Sequence, residues 1–301
     1  MRRSGKPTEE FKFRKMVFSD LPAIEQLASL HNWDVGGHNI QLYFEVSSDC
    51  WTVAENRKGE IVAVDGNNKL SNGVLWGYLL LVKPEYRGYG LSKYFSDQWP
   101  KFGSGGGSST HYFIERVGRR LSQQAFLHKR HGFLGTVHPS LIPDYSLHST
   151  YYLEAVTEMN FSQIASYDFN LVKVDRSAFL RGWCLDEKYA QSFAVFQYKK
   201  CVGFGTVRLF TKKFFQISPL YADNAEIATA LLCELTRKLD LGDLLLLPSL
   251  ADSRTMFEFA TQMKMVINET EIRNCEQGRA HDYLTSLQMN KVYCVHDYWP
   301  I

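Results

Sequence analysis

Hydrophobic and polar residues recur along the first half of the chain with the periods of short strands and amphipathic helices. Residues 13–18 predict a strand, and residues 19–22 predict the capped start of a helix with an apolar face. The turn signal at residues 56–59 separates two strand patterns and predicts a hairpin. Residues 74–82 form a nearly continuous apolar run, which favours a central strand buried on both faces. This order of elements predicts an α/β domain built on a mixed sheet.

The apolar run leads directly into a glycine-containing turn and the predicted start of a helix. Gly88 and Gly90 remove side chains where a phosphate would approach the backbone, Arg87 supplies a fixed positive charge, and Ser92 offers a hydroxyl. Backbone amides at a helix start have no intrahelical partner, and the helix dipole adds partial positive charge there. The turn therefore predicts a pyrophosphate-binding site.

Three later segments complete the first half. Residues 102–109 are rich in glycine and serine and predict a flexible linker, which we favour over a second phosphate loop because no strand leads straight into them. Residues 121–129 predict a helix that ends at Gly132. Residues 151–156 predict a strand that closes the domain.

Two of these segments carry a family resemblance. Residues 82–92 resemble motif A of the GNAT superfamily, (Q/R)-x-x-G-x-(G/A), with Ser92 in the last position instead of glycine or alanine. Residues 124–133 resemble motif B of that superfamily, an apolar helix that ends in Gly-Phe. The resemblance implies an α+β mixed sheet and the fold of an acyl-CoA acyltransferase. It also implies that acetyl-CoA is the acyl donor and that no metal takes part.

The resemblance also implies which residues bind the donor. The backbone of the last strand residues would pair with the pantetheine arm, and the turn would bind the pyrophosphate. The implied donor-binding residues are Leu81, Val82, Arg87, Gly88, Tyr89, Gly90, Leu91 and Ser92.

The residues that move protons are less clearly marked. The family often has a tyrosine four residues before the motif B glycine, where it can protonate the leaving thiolate, and here that position is His128. An imidazolium with a pKa near 6.5 can donate such a proton, although a solvated basic helix face explains His128 equally well. Glu115 is the first candidate for the general base, and His111 and Tyr78 are alternatives.

The second half repeats much of this pattern. Residues 214–217 predict a strand, and Pro219 and Tyr221 align with Pro84 and Tyr86. This alignment predicts an internal repeat.

The phosphate-binding residues of the turn are not repeated in the second half. The residues in place of the arginine and two glycines are Ala222, Asp223 and Ala225. A carboxylate there would repel a phosphate. We therefore predict a GNAT N-acetyltransferase domain at residues 11–156 and a GNAT-like domain without an intact pyrophosphate loop at residues 165–301. The second domain could cover the acceptor cleft and select the amine, or it could stabilise the first domain, and the sequence leaves both roles open.

Composition narrows the class of protein. The 301 residues are 45% hydrophobic and 22% charged, as in folded proteins, and the formal net charge of +2 gives no field that favours nucleic acid or an anionic membrane. The six cysteines are scattered without zinc spacing, so we expect no metal site and a reducing, cytoplasmic location. We also expect neither a secretion signal nor a membrane span.

Two functions fit these features. The first is an N-acetyltransferase that moves an acetyl group from acetyl-CoA to a primary amine of unknown identity, with a small-molecule acceptor favoured. The second is a non-catalytic acyl-CoA-binding sensor or scaffold. Binding of nucleic acid through basic residues near Arg120 is disfavoured by the low net charge. The acyl-chain preference and oligomeric state stay open.

Overall fold

The computed structural model describes most of the chain as two compact units. The first unit is formed by described residues up to 112, and the second mainly by residues 125–274 and 288–295. The described ranges are 10–31, 36–73, 75–102, 109–113, 125–211, 214–250, 252–275 and 288–295. Within these ranges, no helix has the length and apolarity needed to cross a bilayer.

The first unit is a mixed sheet with helices packed against it. Its elements are β1 (Lys12–Lys15), α1 (Leu21–Leu30), α2 (Gly37–Ser47), β2 (Trp51–Glu55), β3 (Ile61–Lys69), β4 (Leu75–Val82), α3 (Leu91–Phe102) and β5 (Ser109–Phe113). The strands lie in sequence order, antiparallel from β1 to β4, with β5 parallel to β4. This matches the strand, hairpin and buried-strand pattern of the sequence.

The core of the first unit explains two of its sequence features. Val82 and Ala63 pack with Leu91 and Phe95 of α3, so the apolar run of β4 is buried by the helix that follows it. Gly66 lies against the ring of Trp51, where a Cβ would come within 2.7 Å of ring carbons. Any larger residue would push these strands and their covering side chains apart.

The second unit contains the remaining elements. They are β6 (Ala125–Thr136), β7 (Tyr151–Ala155), α4 (Phe161–Val172), α5 (Ser177–Cys184), β8 (Ala190–Gln197), β9 (Lys200–Leu209), β10 (Phe215–Ala222), α6 (Ala225–Thr236), β11 (Leu244–Leu250), α7 (Arg254–Gln262), β12 (Val266–Cys275) and β13 (Val292–Cys294). The strand order is β12-β6-β11-β13-β10-β9-β8-β7. Helix α6 buries eight of its twelve residues and contributes six of them to the main hydrophobic cluster of the unit.

Strand register shows an internal repeat of 140 residues. Ala63 faces Val82 between β3 and β4, and Gly203 faces Ala222 between β9 and β10. Both β4 and β10 carry a register shift at the corresponding position, near Tyr78 in one and at residues 218–219 in the other. The predicted repeat is therefore present as a repeat of sheet geometry.

The alignment that suggested this repeat is wrong in detail. Pro219 lies inside β10, whereas Pro84 follows the end of β4, so the two prolines do not correspond. The strand ends, Val82 and Ala222, correspond instead. The short Pro-x-Tyr match misled the alignment because it ignored strand length.

The second repeat also begins earlier than the predicted boundary. Tyr151–Ala155 pairs with β8 as β1 pairs with β2, so it opens the second sheet instead of closing the domain predicted at residues 11–156. The helix predicted at residues 121–129 is wrong for its described part, because residues 125–129 lie in β6. Residues 130–136 of the same strand form a ladder of seven residue pairs with β11, and residues 125–129 continue the strand that these long-range pairs establish.

A buried ion pair stabilises the second unit. Arg176 donates from Nε and Nη2 to the carboxylate of Asp168, at 2.8 and 2.6 Å. The two side chains are each 1% exposed. Arg176 also donates to the hydroxyl of Tyr221 at 3.0 Å. A charge buried this deeply depends on its partner.

Asp168→Ala is expected to destabilise the second unit by about 3–5 kcal/mol, because it leaves the charge of Arg176 buried and unpaired. Urea unfolding followed by circular dichroism measures the loss. As a control, Asp97→Ala removes an exposed pair with Lys93 and should change the stability little. Equal losses in the two variants would contradict the importance of the buried pair.

Candidate functional site

The candidate site lies where β4 and β5 part. The described residues pair these parallel strands only at Leu75 with Ser109 and Trp76 with Thr110. Just beyond, β4 has a bulge, since Gly77 and Leu79 pair with successive residues of β3 and Tyr78 lies between them. A bulge bends a strand and is common beside active sites. The remainder of β4 therefore borders an opening in the sheet of the first unit.

The backbone of Val82 faces this opening. Lys83 donates its amide to the carbonyl of Val62 in β3, so by the alternation of the ladder Leu81 also directs its backbone groups to β3. Val82 directs its own amide and carbonyl to the opposite edge. Of the two strand residues predicted to pair with a pantetheine arm, Val82 has the orientation that such pairing requires.

The turn after β4 has the backbone shape that glycine allows. Gly88 and Gly90 have φ angles of 87° and 82°, in the left-handed region that other residues avoid. A Cβ built on Gly88 meets no atom within 4 Å, so open space lies in front of the turn. Glycine is therefore favoured at both positions by the backbone conformation, in addition to the predicted close approach of a phosphate.

The start of α3 presents unpaired amides to the same region. The first intrahelical bond runs from the amide of Tyr94 to the carbonyl of Gly90, so the amides of Leu91, Ser92 and Lys93 precede the ladder. The first turn contains no acidic residue. The Leu91 side chain is buried while Ser92 is exposed, so Leu91 could contact a ligand only through its backbone. These groups can bind an anion.

His31 connects the turn to the strand, and the sequence did not identify it. Arg87 Nη2 lies 2.9 Å from His31 Nδ1, and His31 Nε2 lies 3.0 Å from the carbonyl oxygen of Val82. Because arginine is always protonated and can only donate, Nδ1 must accept, and Nε2 then carries the proton and donates to Val82. This chain fixes the neutral tautomer of His31 and holds Arg87 at the turn.

Aromatic side chains support the turn from behind. The ring of Phe11 meets those of Tyr86 and Tyr89 edge-on, at centroid distances of 5.8 and 5.6 Å. Asn56 donates to the hydroxyl of Tyr86 at 3.0 Å. The ring of Tyr89 therefore anchors the turn, and its backbone alone is placed to contact a ligand.

The predicted proton-transfer residues are only partly described. His128 lies in β6, so the helix that motif B predicts there is absent, while the role of His128 as an acid stays a prediction. Glu115 lies outside the described residues, and His111 lies in β5. Tyr78 is buried against Tyr43, with ring centroids 4.0 Å apart, and burial raises its pKa well above its usual range. Its phenol therefore stays protonated at neutral pH, which does not suit the role of general base.

In the second unit the corresponding opening is filled by the chain itself. Strands β10 and β11 also pair in parallel at only two positions, Phe215 with Leu245 and Gln216 with Leu246. Beyond them β13 inserts between the two strands, and Cys294 faces residues of both. All three residues of β13 are buried.

The glycine turn has no counterpart in the second unit. Only Asp223 and Asn224 separate β10 from α6, whereas eight residues separate β4 from α3. The Asn224 side chain accepts from the amide of Ile227 at 3.0 Å and so already caps the helix. Glu226 adds a negative charge in the first turn. This helix start is therefore poorly suited to a phosphate.

A model of the acetyltransferase (GNAT) domain family matches residues 164–279. No curated protein matches the chain. The matched range lies in the half of the chain that lacks the glycine turn. No group of metal ligands occurs among the described residues.

Solved structures are similar over nearly the whole chain. A putative acetyltransferase from Pyrococcus horikoshii is 15% identical, with a TM-score of 0.73 over 96% of this chain and 95% of its own. A GCN5-related N-acetyltransferase from Sphaerobacter thermophilus is 15% identical, with a TM-score of 0.58 over 88% and 95%. A tandem GNAT protein from the clavulanic acid biosynthesis pathway is 9% identical, with a TM-score of 0.62 over 89% and 99%. The predicted fold class, a mixed-sheet α/β protein with tandem GNAT-like folds, is confirmed.

The tautomer of His31 can be measured directly. Long-range ¹H–¹⁵N correlation spectra at neutral pH should show His31 protonated at Nε2 alone, because Nδ1 accepts from Arg87. Arg87→Ala should release this constraint and give a mixture of tautomers, while Arg57→Ala, in the β2–β3 turn, should leave the spectrum of His31 unchanged. A ring protonated at Nδ1 in the wild type would contradict the contact.

Proposed function

We propose that this chain, whose second half carries a GNAT acetyltransferase domain and whose two halves together have the tandem GNAT fold, is an N-acetyltransferase that uses acetyl-CoA. Family and fold support acyl transfer in general. The observation that carries the donor assignment is the alignment of three features in the first unit. The edge of β4 that the described part of β5 leaves unpaired leads into the glycine turn, and the turn leads into the first amides of α3, which precede its hydrogen-bond ladder.

In this proposal each feature binds one part of the donor. The amides at Gly90, Leu91 and Ser92 and the guanidinium of Arg87 would hold the pyrophosphate, and Gly88 would let it approach the backbone. The backbone of Val82 would pair with the pantetheine arm and so orient the thioester. Bound acetyl-CoA would supply an activated acetyl group. His31 contributes by holding Arg87 in place.

The acceptor in this proposal is a primary amine, with a small molecule favoured. Attack on a thioester needs a neutral nitrogen, so a group near the opening must take a proton. Glu115 and His128 remain the proposed catalytic residues. Five cysteines of the described chain are buried and form no disulfide bond, which suits the reducing cytoplasm where we expect the protein to act; they are Cys50, Cys184, Cys201, Cys233 and Cys294.

The second unit in this proposal does not bind acyl-CoA. Its strand opening is filled by β13, and the connection from β10 to α6 is too short to form a phosphate turn. We therefore propose that residues 165–301, together with the strand at Tyr151–Ala155, have kept the fold without the donor site.

The direct test is acetyl transfer to a panel of amines, with release of free thiol from acetyl-CoA as the readout. The panel covers polyamines, amino sugars, amino acids, arylalkylamines and a lysine peptide. Turnover with at least one amine supports the enzyme. Stabilisation of the protein by acetyl-CoA without turnover would identify a sensor or scaffold, and no stabilisation would overturn donor binding altogether.

Gly88→Ala should weaken acetyl-CoA binding by about tenfold or more, because it strains the turn and narrows the approach of the phosphate. Gly59→Ala is the matched control, since Gly59 also has a left-handed φ, 78°, and open space around its Cβ position, in the β2–β3 turn. Both variants should lose similar stability. Isothermal titration should show weaker binding only in the first, and equal affinities would refute the turn as the donor site.

His128→Ala tests the proposed acid. If His128 protonates the leaving thiolate, the variant should lose about 10²-fold or more in kcat with a fast amine, and the basic limb of the pH–rate profile should change, because a general acid loses its proton as the pH rises. His138→Ala is a suitable control because His138 lies after β6. Unchanged turnover in His128→Ala would remove this residue from the mechanism.

A further inference from the structure

The second unit contains a cavity that the proposed reaction does not use. Its volume is about 650 Å³, and it lies between α4, the β8–β9 turn and the segment before β13. One face of α4 lines it with polar side chains three or four residues apart, which places them on a single stripe. These are Gln163, Ser166, Tyr167 and Asn170.

The charges around the cavity are strongly unequal. Among the described residues, its lining includes four lysines, Lys173, Lys199, Lys200 and Lys291, and one acidic residue, Asp223. Asp223 is already engaged, because Lys291 lies 2.9 Å from its carboxylate and Tyr167 donates to the same oxygen at 3.1 Å. Three lysines are therefore left in excess, and the cavity favours an anion.

The β8–β9 turn places lysine where lysine is unfavourable. Tyr198 and Lys199 have φ angles of 50° and 66°, and a two-residue hairpin turn of this kind normally takes asparagine and glycine. In the first unit the corresponding hairpin turn has Gly59 in the left-handed position. The stability of the turn therefore does not explain why lysine occupies position 199, whereas a positive charge at the cavity does.

Polar groups deeper in the cavity indicate hydrogen bonding to a ligand. The Oε1 atom of Gln163 is buried and accepts no hydrogen bond from the protein, an arrangement that costs free energy unless a donor is supplied. Cys201 lies in the lining, and burial raises its pKa to about 12, so its thiol stays protonated and unreactive. Binding here is therefore non-covalent, and the ligand carries hydroxyl or similar donors.

We propose that this cavity binds a small, hydroxylated organic anion, held by the lysines through its carboxylate or phosphate and by the α4 stripe through its hydroxyl groups. The volume suits a small metabolite. The polar stripe and excess positive charge do not suit an acyl chain. The site is separate from the proposed acetyl-CoA site and does not depend on it.

Isothermal titration of the full chain with citrate and with glucose 6-phosphate tests this proposal and distinguishes carboxylate from phosphate. Glucose is the uncharged control. At least one anion should bind with a Kd of about 1 mM or lower, and glucose should not bind. If neither anion binds, or if glucose binds as well as they do, the proposal is wrong.

Variants locate the binding. Lys199→Ala combined with Lys200→Ala should weaken binding about tenfold or more, while Lys58→Ala, in the β2–β3 turn of the first unit, should not change it. Ser166→Trp fills the cavity from the exposed side of α4, and circular dichroism checks that it folds. It should abolish binding. Anion binding that survives both sets of substitutions would place the site elsewhere and overturn the assignment.

Discussion

Where two parallel strands separate, the backbone amides and carbonyls along the separated edges need other hydrogen-bond partners. Both halves of the molecule contain such a separation. In each half the two strands pair at only two positions before they separate. In each half a bulge lies just beyond that point. What differs is the group that completes the hydrogen bonds at the edge left open.

The two halves complete these hydrogen bonds in different ways. In the second unit β13 enters the gap and becomes part of the core. In the first unit the edge at Val82 leads to the glycine turn, and His31 takes the carbonyl of Val82 while it holds Arg87. In one repeat the gap is thus closed by the chain itself, and in the other it leads to the glycine turn, where we propose that an extended, phosphate-bearing ligand binds.

Local features of the site could be predicted from the sequence, and long-range ones could not. The turn at Gly88 and Gly90 follows from residues that are neighbours in the chain, and the structure gives both the left-handed backbone that makes glycine necessary. The helix expected at residues 121–129 fails in its described part because residues 125–129 continue a strand whose later residues, 130–136, pair with β11 more than a hundred residues away. The contact of His31 with Arg87 joins residues 56 positions apart. No local pattern marks such a contact.

The central claim is that the first half alone binds the acyl donor. The stoichiometry of acetyl-CoA binding to the full chain, measured by isothermal titration, tests it most directly. The account predicts one molecule per chain, because one opening has a phosphate turn at its end and the other is filled by β13. Two molecules per chain, or one that binds with unchanged affinity when Arg87 and Gly88 are both replaced, would contradict it.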